Sequence, residues 1–218
     1  MKSDYLEQFE SETEETSYSS FSDFFLRKYK SPLKPQGKII WPCEGYICDW
    51  GLFSEKNDSI VKGQTLDLNS IFASESTVTK DYFFINIFLH NHNYHRVHSM
   101  IEGQVTRITR VPGDLIFLRP WFYNRSDVSY PATRNERIIF EITDNQNRPW
   151  YLAMVGGFGV GTIEIAREFL NGGSVKIGQE IAKFRLGSTV CLASPDILGP
   201  NTFLQTITAG QEIEPKNV

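Results

Sequence analysis

The chain has 218 residues, 40% apolar and 13% aromatic, with 22% charged and a formal net charge of −4. That length suffices for one sizeable domain with a real core, and the composition is that of an ordinary globular protein. The negative balance and the lack of any basic block exclude general nucleic-acid binding, which needs clustered cations against phosphates.

Residues 1–18 read as an acidic leader, frayed or helical. Met1 to Thr16 holds six acidic residues and no apolar run of the kind a signal peptide needs. Such a leader is repelled by anionic lipid. Phe21, Phe24, Phe25 and Tyr29 stand at i, i+3, i+4 and i+8, which predicts a short amphipathic helix capped by Ser20 or Ser22. Pro32 to Gly37 ends it. After that the pattern is period two or short apolar runs between turns. Strands are predicted over Lys38–Trp41, Tyr46–Leu52, Tyr82–Leu89, Gln104–Arg110, Asp114–Leu118, Arg137–Ile142, Tyr151–Val155, Gly159–Ile165 and Phe184–Leu192. One or two helical turns are expected over Asp67–Ala73, and Ile163–Leu170 fits strand or helix. Many short strands punctuated by Gly and Pro predict a mainly β domain, a sandwich or barrel with a few short peripheral helices, over residues 19–218.

The longest uncharged stretch, Pro149 to Ile163, has 15 residues and four glycines, short of the roughly 20 apolar residues a spanning helix requires. Membrane contact is therefore expected to be peripheral at most, through Phe21, Phe24 and Phe25. Cys43, Cys48 and Cys191 form an odd, sparse set without metal-type spacing, read as reduced thiols of a cytoplasmic protein. The Asn57-Asp58-Ser59 and Asn124-Arg125-Ser126 sequons are then chance matches.

All four histidines, His90, His92, His95 and His98, fall within nine residues. Three readings stay open at this point: a zinc site using His90 and His92, a purely structural loop, or proton transfer, which suits imidazole because its pKa lies near neutrality. Arg96 and Arg137 fit a substrate anion or a structural ion pair equally well. Gly156, Gly157, Gly159 and Gly161 do not make the phosphate-binding G-x-G-x-x-G pattern and read as close strand packing. Taken alone, Gly187-Ser188-Thr189 is a turn or strand edge.

Together these motifs resemble the phosphatidylserine decarboxylase family. The resemblance is carried, in order, by the Ser19–Arg27 entry segment, Pro42-Cys43-Glu44-Gly45, Val61-Lys62-Gly63, Tyr94-His95-Arg96-Val97-His98, Val111-Pro112-Gly113-Asp114 and Asn135-Glu136-Arg137. The Val155–Gly161 glycine run, Gly178-Gln179-Glu180 and Phe184–Val190 complete it. It implies a β-rich fold and a pyruvoyl cofactor made by self-cleavage of Gly187–Ser188, giving a β-chain of residues 1–187 and an α-chain of residues 188–218. Residue roles follow by resemblance only: Ser188 as nucleophile, His98 as its base, Glu44 as the carboxylate orienting His98, His95 near the substrate in decarboxylation, and Tyr94 and Arg96 toward the substrate. No metal is implied.

Two departures stand out. Glu44 occupies a position where the family has aspartate, which moves the carboxylate by roughly an ångström, and misplacement of that size can cost about a hundredfold in rate. A solvent-exposed Glu-Gly turn is the alternative. Asn91-His92-Asn93-Tyr94 replaces the usual Pro-x-Asp-Tyr. The function implied is decarboxylation of phosphatidylserine to phosphatidylethanolamine. A soluble amino acid or derivative as substrate, and a processing-dead relative that only binds a ligand, stand as alternatives, and a homodimer is left open.

Overall fold

The computed structural model describes residues 3–13, 17–56, 60–61, 64–65, 67–72, 78, 80–157, 159, 161–200 and 202–215. Lys62-Gly63, Ala73, Asn57-Asp58-Ser59, Phe158 and Val160, all invoked from sequence, lie outside them.

In chain order the strands are β1 (Phe9–Glu10), β2 (Lys28–Tyr29), β3 (Gly45–Leu52), β4 (Ile60–Val61), β5 (Gln64–Thr65), β6 (Phe83–Leu89), β7 (Arg96–His98) and β8 (Gly103–Val111). They continue as β9 (Arg137–Asp144), β10 (Pro149–Gly156), β11 (Ile163–Ile165), β12 (Gly173–Val175), β13 (Glu180–Phe184), β14 (Ser188–Ser194) and β15 (Thr206–Ile207). Eight of them form one sheet in the order β12-β8-β9-β10-β14-β6-β3-β15, and β11-β13-β7 form a smaller sheet. Neighbours in both sheets run antiparallel. Four short helices, α1 (Ser3–Leu6), α2 (Phe21–Phe25), α3 (Phe53–Lys56) and α4 (Tyr130–Arg134), lie among them. The mainly β expectation with short helices holds.

The sequence of β6, Phe-Phe-Ile-Asn-Ile-Phe-Leu, is too apolar for a one-sided strand, and every one of its residues is buried. Alternation sorts them: Phe83, Ile85, Ile87 and Leu89 join the larger core cluster, while Phe84 and Phe88 join the smaller one on the other face. β14 does the same with Val190 and Leu192 against Cys191 and Ala193. Full burial of a Leu side chain contributes about 1.5–3 kcal/mol, so β14 is anchored on both faces and by both neighbours. That anchoring fixes the position of its first residue, Ser188.

Some expected elements differ. Lys38–Trp41 is no strand; Ile40 makes a single bridge to Glu212. Asp114–Leu118 likewise reduces to one bridge, Asp114 to Asn135, because the Asn135 side chain takes the backbone groups a neighbouring strand would use. The single strand expected over Phe184–Leu192 breaks at residues 185–187, where Gly187 turns with φ 61°, a conformation glycine adopts without steric cost. The helix at Phe21 stops at Phe25, and Ser20 is its cap, accepting from Asp23 N–H; Tyr29 belongs to β2.

The described residues of the leader, 3–13 and 17–18, include packed ones rather than a frayed run. β1 pairs with β2, Phe9 is buried among Tyr94 and Ala209, and Glu12 bonds Arg96 and Lys183. Cys43, Cys48 and Cys191 are all free and buried.

Candidate active site

Ser188 begins β14, pairing with Leu89 on one side and Gly156 on the other. Its side chain is buried, yet Oγ has no hydrogen-bond partner among the described residues. A buried hydroxyl left unpaired costs about 1–3 kcal/mol, so it calls for an explanation, and function is one. Leu186, Gly187 and Ser188 line a cavity of about 330 Å³ together with Phe88, Leu89, Asn91, Phe117, Leu118, Arg119 and Gly157. Gly157 belongs there for steric reasons: a Cβ on it would lie 2.5 Å from Leu118 Cδ1. The expectation of close packing at these glycines is met at this position.

His95 directly precedes β7 and His98 is its last residue, and both are almost completely buried. His98 Nδ1 lies 2.8 Å from the Gly178 carbonyl, which can only accept, so Nδ1 carries the proton. Nε2 then accepts from Tyr94 O–H at 3.0 Å, and the Tyr94 ring stacks on His98. His95 Nδ1–H donates to the Asn93 carbonyl at 2.8 Å, but its Nε2 has no partner among the described residues. The ring stacks on Phe25 with centroids 3.6 Å apart. Burial lowers both imidazole pKa values, to about 3 for His95 and about 4 for His98, against the smaller opposing pull of the carbonyls that accept from them. Both rings are therefore neutral at pH 7, and of the two only His95 has a free lone pair.

Glu44 is buried, so the exposed-turn reading of it fails. Its Oε2 accepts from Tyr5 O–H at 2.6 Å and its Oε1 from Asn93 Nδ2 at 2.7 Å. Glu44 therefore does not hydrogen-bond His98, whose two nitrogens are already taken. Only the backbones connect, His98 N–H donating to the Pro42 carbonyl. The carboxylate reaches the histidines through Asn93 instead: Asn93 Nδ2 holds Glu44, Asn93 Oδ1 accepts from His90 N–H, and Asn93 carbonyl orients His95. Arg27, fully buried, donates to Tyr5 Oη and the His92 carbonyl beneath the rings of Phe24 and Phe9.

Arg96 faces its own partners. It pairs with Glu180 and Glu12 and donates to the Leu26 and Arg27 carbonyls, so its donors are consumed by structure. Arg137 likewise spends its guanidinium on the carbonyls of Ser70, Ile71 and Asn135. Neither Arg96 nor Tyr94 lines the Ser188 cavity. The His90 and His92 rings are 4.3 Å apart, and no group of three His, Cys, Asp or Glu suited to a metal occurs among the described residues. Sequence reasoning passed over Tyr5, Asn93 as a partner of Glu44, and Arg119; only the oddity of Asn91-His92-Asn93 drew attention to that loop.

A self-processing protein is the class that a buried serine hydroxyl without a partner among the described residues, directly after a left-handed glycine, is suited to. Comparison with known proteins agrees. The model of the phosphatidylserine decarboxylase family matches residues 21–214. Curated phosphatidylserine decarboxylase proenzymes are similar: that of Chromobacterium violaceum is 26% identical, covering 88% of this chain and 75% of its own. That of Methylobacillus flagellatus is 28% identical over 83% and 71%, and that of Francisella tularensis subsp. novicida 34% identical over 59% and 46%. The chain belongs to the phosphatidylserine decarboxylase family, a family of carboxy-lyases.

Proposed function

We propose that this chain is a proenzyme that cuts itself between Gly187 and Ser188 and then decarboxylates the serine headgroup of phosphatidylserine. The observation that carries this is the Ser188 hydroxyl, buried without a partner at the head of a cavity and preceded by Gly187 at φ 61°. Ser188 Oγ attacks the Gly187 carbonyl carbon, the C–N bond breaks, and an ester forms with a free amine on residue 188. Loss of the Cα proton then expels the Gly187 carboxylate and leaves a dehydroalanine, which takes up water and releases ammonia to become a ketone. Lack of a Gly187 side chain admits the approach.

The proton on Ser188 Oγ needs an acceptor. Resemblance assigned it to His98, but His98 Nε2 is occupied by Tyr94, whereas His95 Nε2 is free, which favours His95. Its Nδ1–H bond to the Asn93 carbonyl holds the tautomer that puts the lone pair on Nε2.

The residues present fit a pyruvoyl group at position 188. Its carbons come from Ser188, the cavity opens on it, and β14 stays paired with β10 and β6 after a cut at its first residue. Such a ketone supplies condensation with a substrate amine and an electron sink for the pair released as carbon dioxide leaves. The apolar walls, Phe88, Leu89, Phe117 and Leu118, exclude water, and the exposed apolar side chains of Phe117 and Leu186 at the cavity favour a lipid substrate over a free amino acid. Carbon dioxide release from phosphatidylserine vesicles and from free serine, measured for wild type, Ser188→Ala, His95→Ala and His98→Ala, tests this. Release from vesicles, lost in Ser188→Ala and with cleavage lost in His95→Ala, is expected; release from serine alone would overturn the lipid assignment, and no release would favour a ligand-binding relative.

A further inference from the structure

A substrate with two acyl chains raises a question of space. A cavity of about 330 Å³ stands at the small end of small-molecule sites, which run roughly 300–1,000 Å³. It holds a headgroup and not the chains. The chains must stay outside the mouth, and the mouth is unusual. Phe117, Trp121 and Phe122 are 46%, 54% and 63% exposed, and Leu186 is exposed as well. Phe117 and Leu186 also line the cavity, so the apolar rim is continuous with its wall.

This rim is built to be presented. Asn135 clamps the segment by accepting from Ile116 N–H and donating to the Ile116 carbonyl. Tyr123 O–H donates to the Phe117 carbonyl, and Pro120 and Leu118 are buried as anchors. The backbone is thus fixed while its aromatics point into solvent, and Phe117 meets Phe122 edge to face. Between the anchors Arg119, half-buried, lines the same cavity. Its carbonyl accepts from Phe122 N–H, but its guanidinium makes no ion pair or hydrogen bond among the described residues and lies 5.7 Å from the Trp121 ring. A cation at the headgroup cavity behind a rim of Trp and Phe matches the layering of a bilayer interface, anion outside and hydrocarbon beneath.

Resting on the lipid substrate read above, we infer that residues 115–122 are the membrane-docking lip of the site, with Trp121 and Phe122 entering a phospholipid surface and Arg119 taking the headgroup phosphate. This adds a second surface to the membrane contact expected at Phe21, Phe24 and Phe25, of which Phe25 is buried against His95 while Phe21 is 57% exposed. Arg119 is a specificity-determining residue here: its fork suits a phosphodiester.

The test is flotation of the full chain with vesicles of phosphatidylcholine mixed with phosphatidylserine. Wild type floats; Trp121→Ser with Phe122→Ser floats about tenfold less, since binding scales with buried apolar area. Leu170→Ser, an exposed apolar residue outside the lip, floats as wild type. Arg119→Gln raises KM on vesicles about tenfold or more with little change in kcat. Equal flotation of the double variant, or an unchanged KM in Arg119→Gln, overturns the inference. Self-cleavage is followed in the same samples, so a chain that floats through this lip but stays whole refutes the processing account and not the docking one.

Discussion

Asn93 ties the candidate site together, and replacing it by alanine should be costly for a calculable reason. Its amide nitrogen donates to the Glu44 carboxylate at 2.7 Å and its amide oxygen accepts from His90 N–H at 2.8 Å, with the residue buried. The reverse amide orientation would set an oxygen against a carboxylate, so this assignment is secure. Alanine removes a hydrogen bond to a charged group, about 1.5–3 kcal/mol, and orphans a donor at about 1–3 kcal/mol. Because the two losses overlap, a total centred on about 3 kcal/mol is expected. For a chain of 218 residues each kcal/mol lowers the melting temperature by about 2–4 °C, giving a drop of roughly 6–12 °C. Calorimetry in a Ser188→Ala background keeps every sample a single chain. Asn93→Asp should be worse at neutral pH, placing a second carboxylate beside Glu44. A melting temperature within about 1 °C of the parent for Asn93→Ala would refute the tether.

Three further outcomes are expected. Glu44→Asp should slow cleavage and lower stability, because the shorter side chain cannot reach both Tyr5 and Asn93; a rate equal to or above wild type contradicts this. Stability should fall with acid: His95 and His98 titrate near 3 and 4 in the fold and near 6.5 unfolded. The unfolded chain thus binds more protons, so the contribution is full above about pH 6.5 and is lost as pH falls toward 4; a melting temperature flat from pH 7.5 to about 5 would count against neutral buried rings. The cleaved chains should co-elute in native buffer and separate only in denaturant, since β14 is held by the ladders of β10 and β6; separation without denaturant would contradict that.

Local pattern made much of the fold legible. β6 announced itself by its apolar run, and β3, β9 and β10 by period two, each within two residues at either end. Asp114–Leu118 misled because its alternation is satisfied by the side chain of Asn135 rather than by a partner strand, a contact no local window contains. In the site, Ser188 and the histidines were readable because their motif is contiguous. The partners of Glu44 were not: Tyr5 and Asn93 are 39 and 49 residues away, and the leader carrying Tyr5 looked like solvated acid. The ion-pair partners of Arg96 were hidden for the same reason, its carboxylates lying 84 residues off on either side.

The central claim is that Ser188 becomes the reactive group of the mature protein. Intact mass spectrometry of the purified chain tests it most directly. Two species are predicted in place of one 25.0 kDa chain, one ending at Gly187 and one beginning at residue 188, the latter lighter by one ammonia than a serine N-terminus and reactive toward a carbonyl reagent, with Ser188→Ala whole. A wild-type chain that remains whole after prolonged incubation at neutral pH, or an α-chain beginning with an ordinary serine, would contradict it.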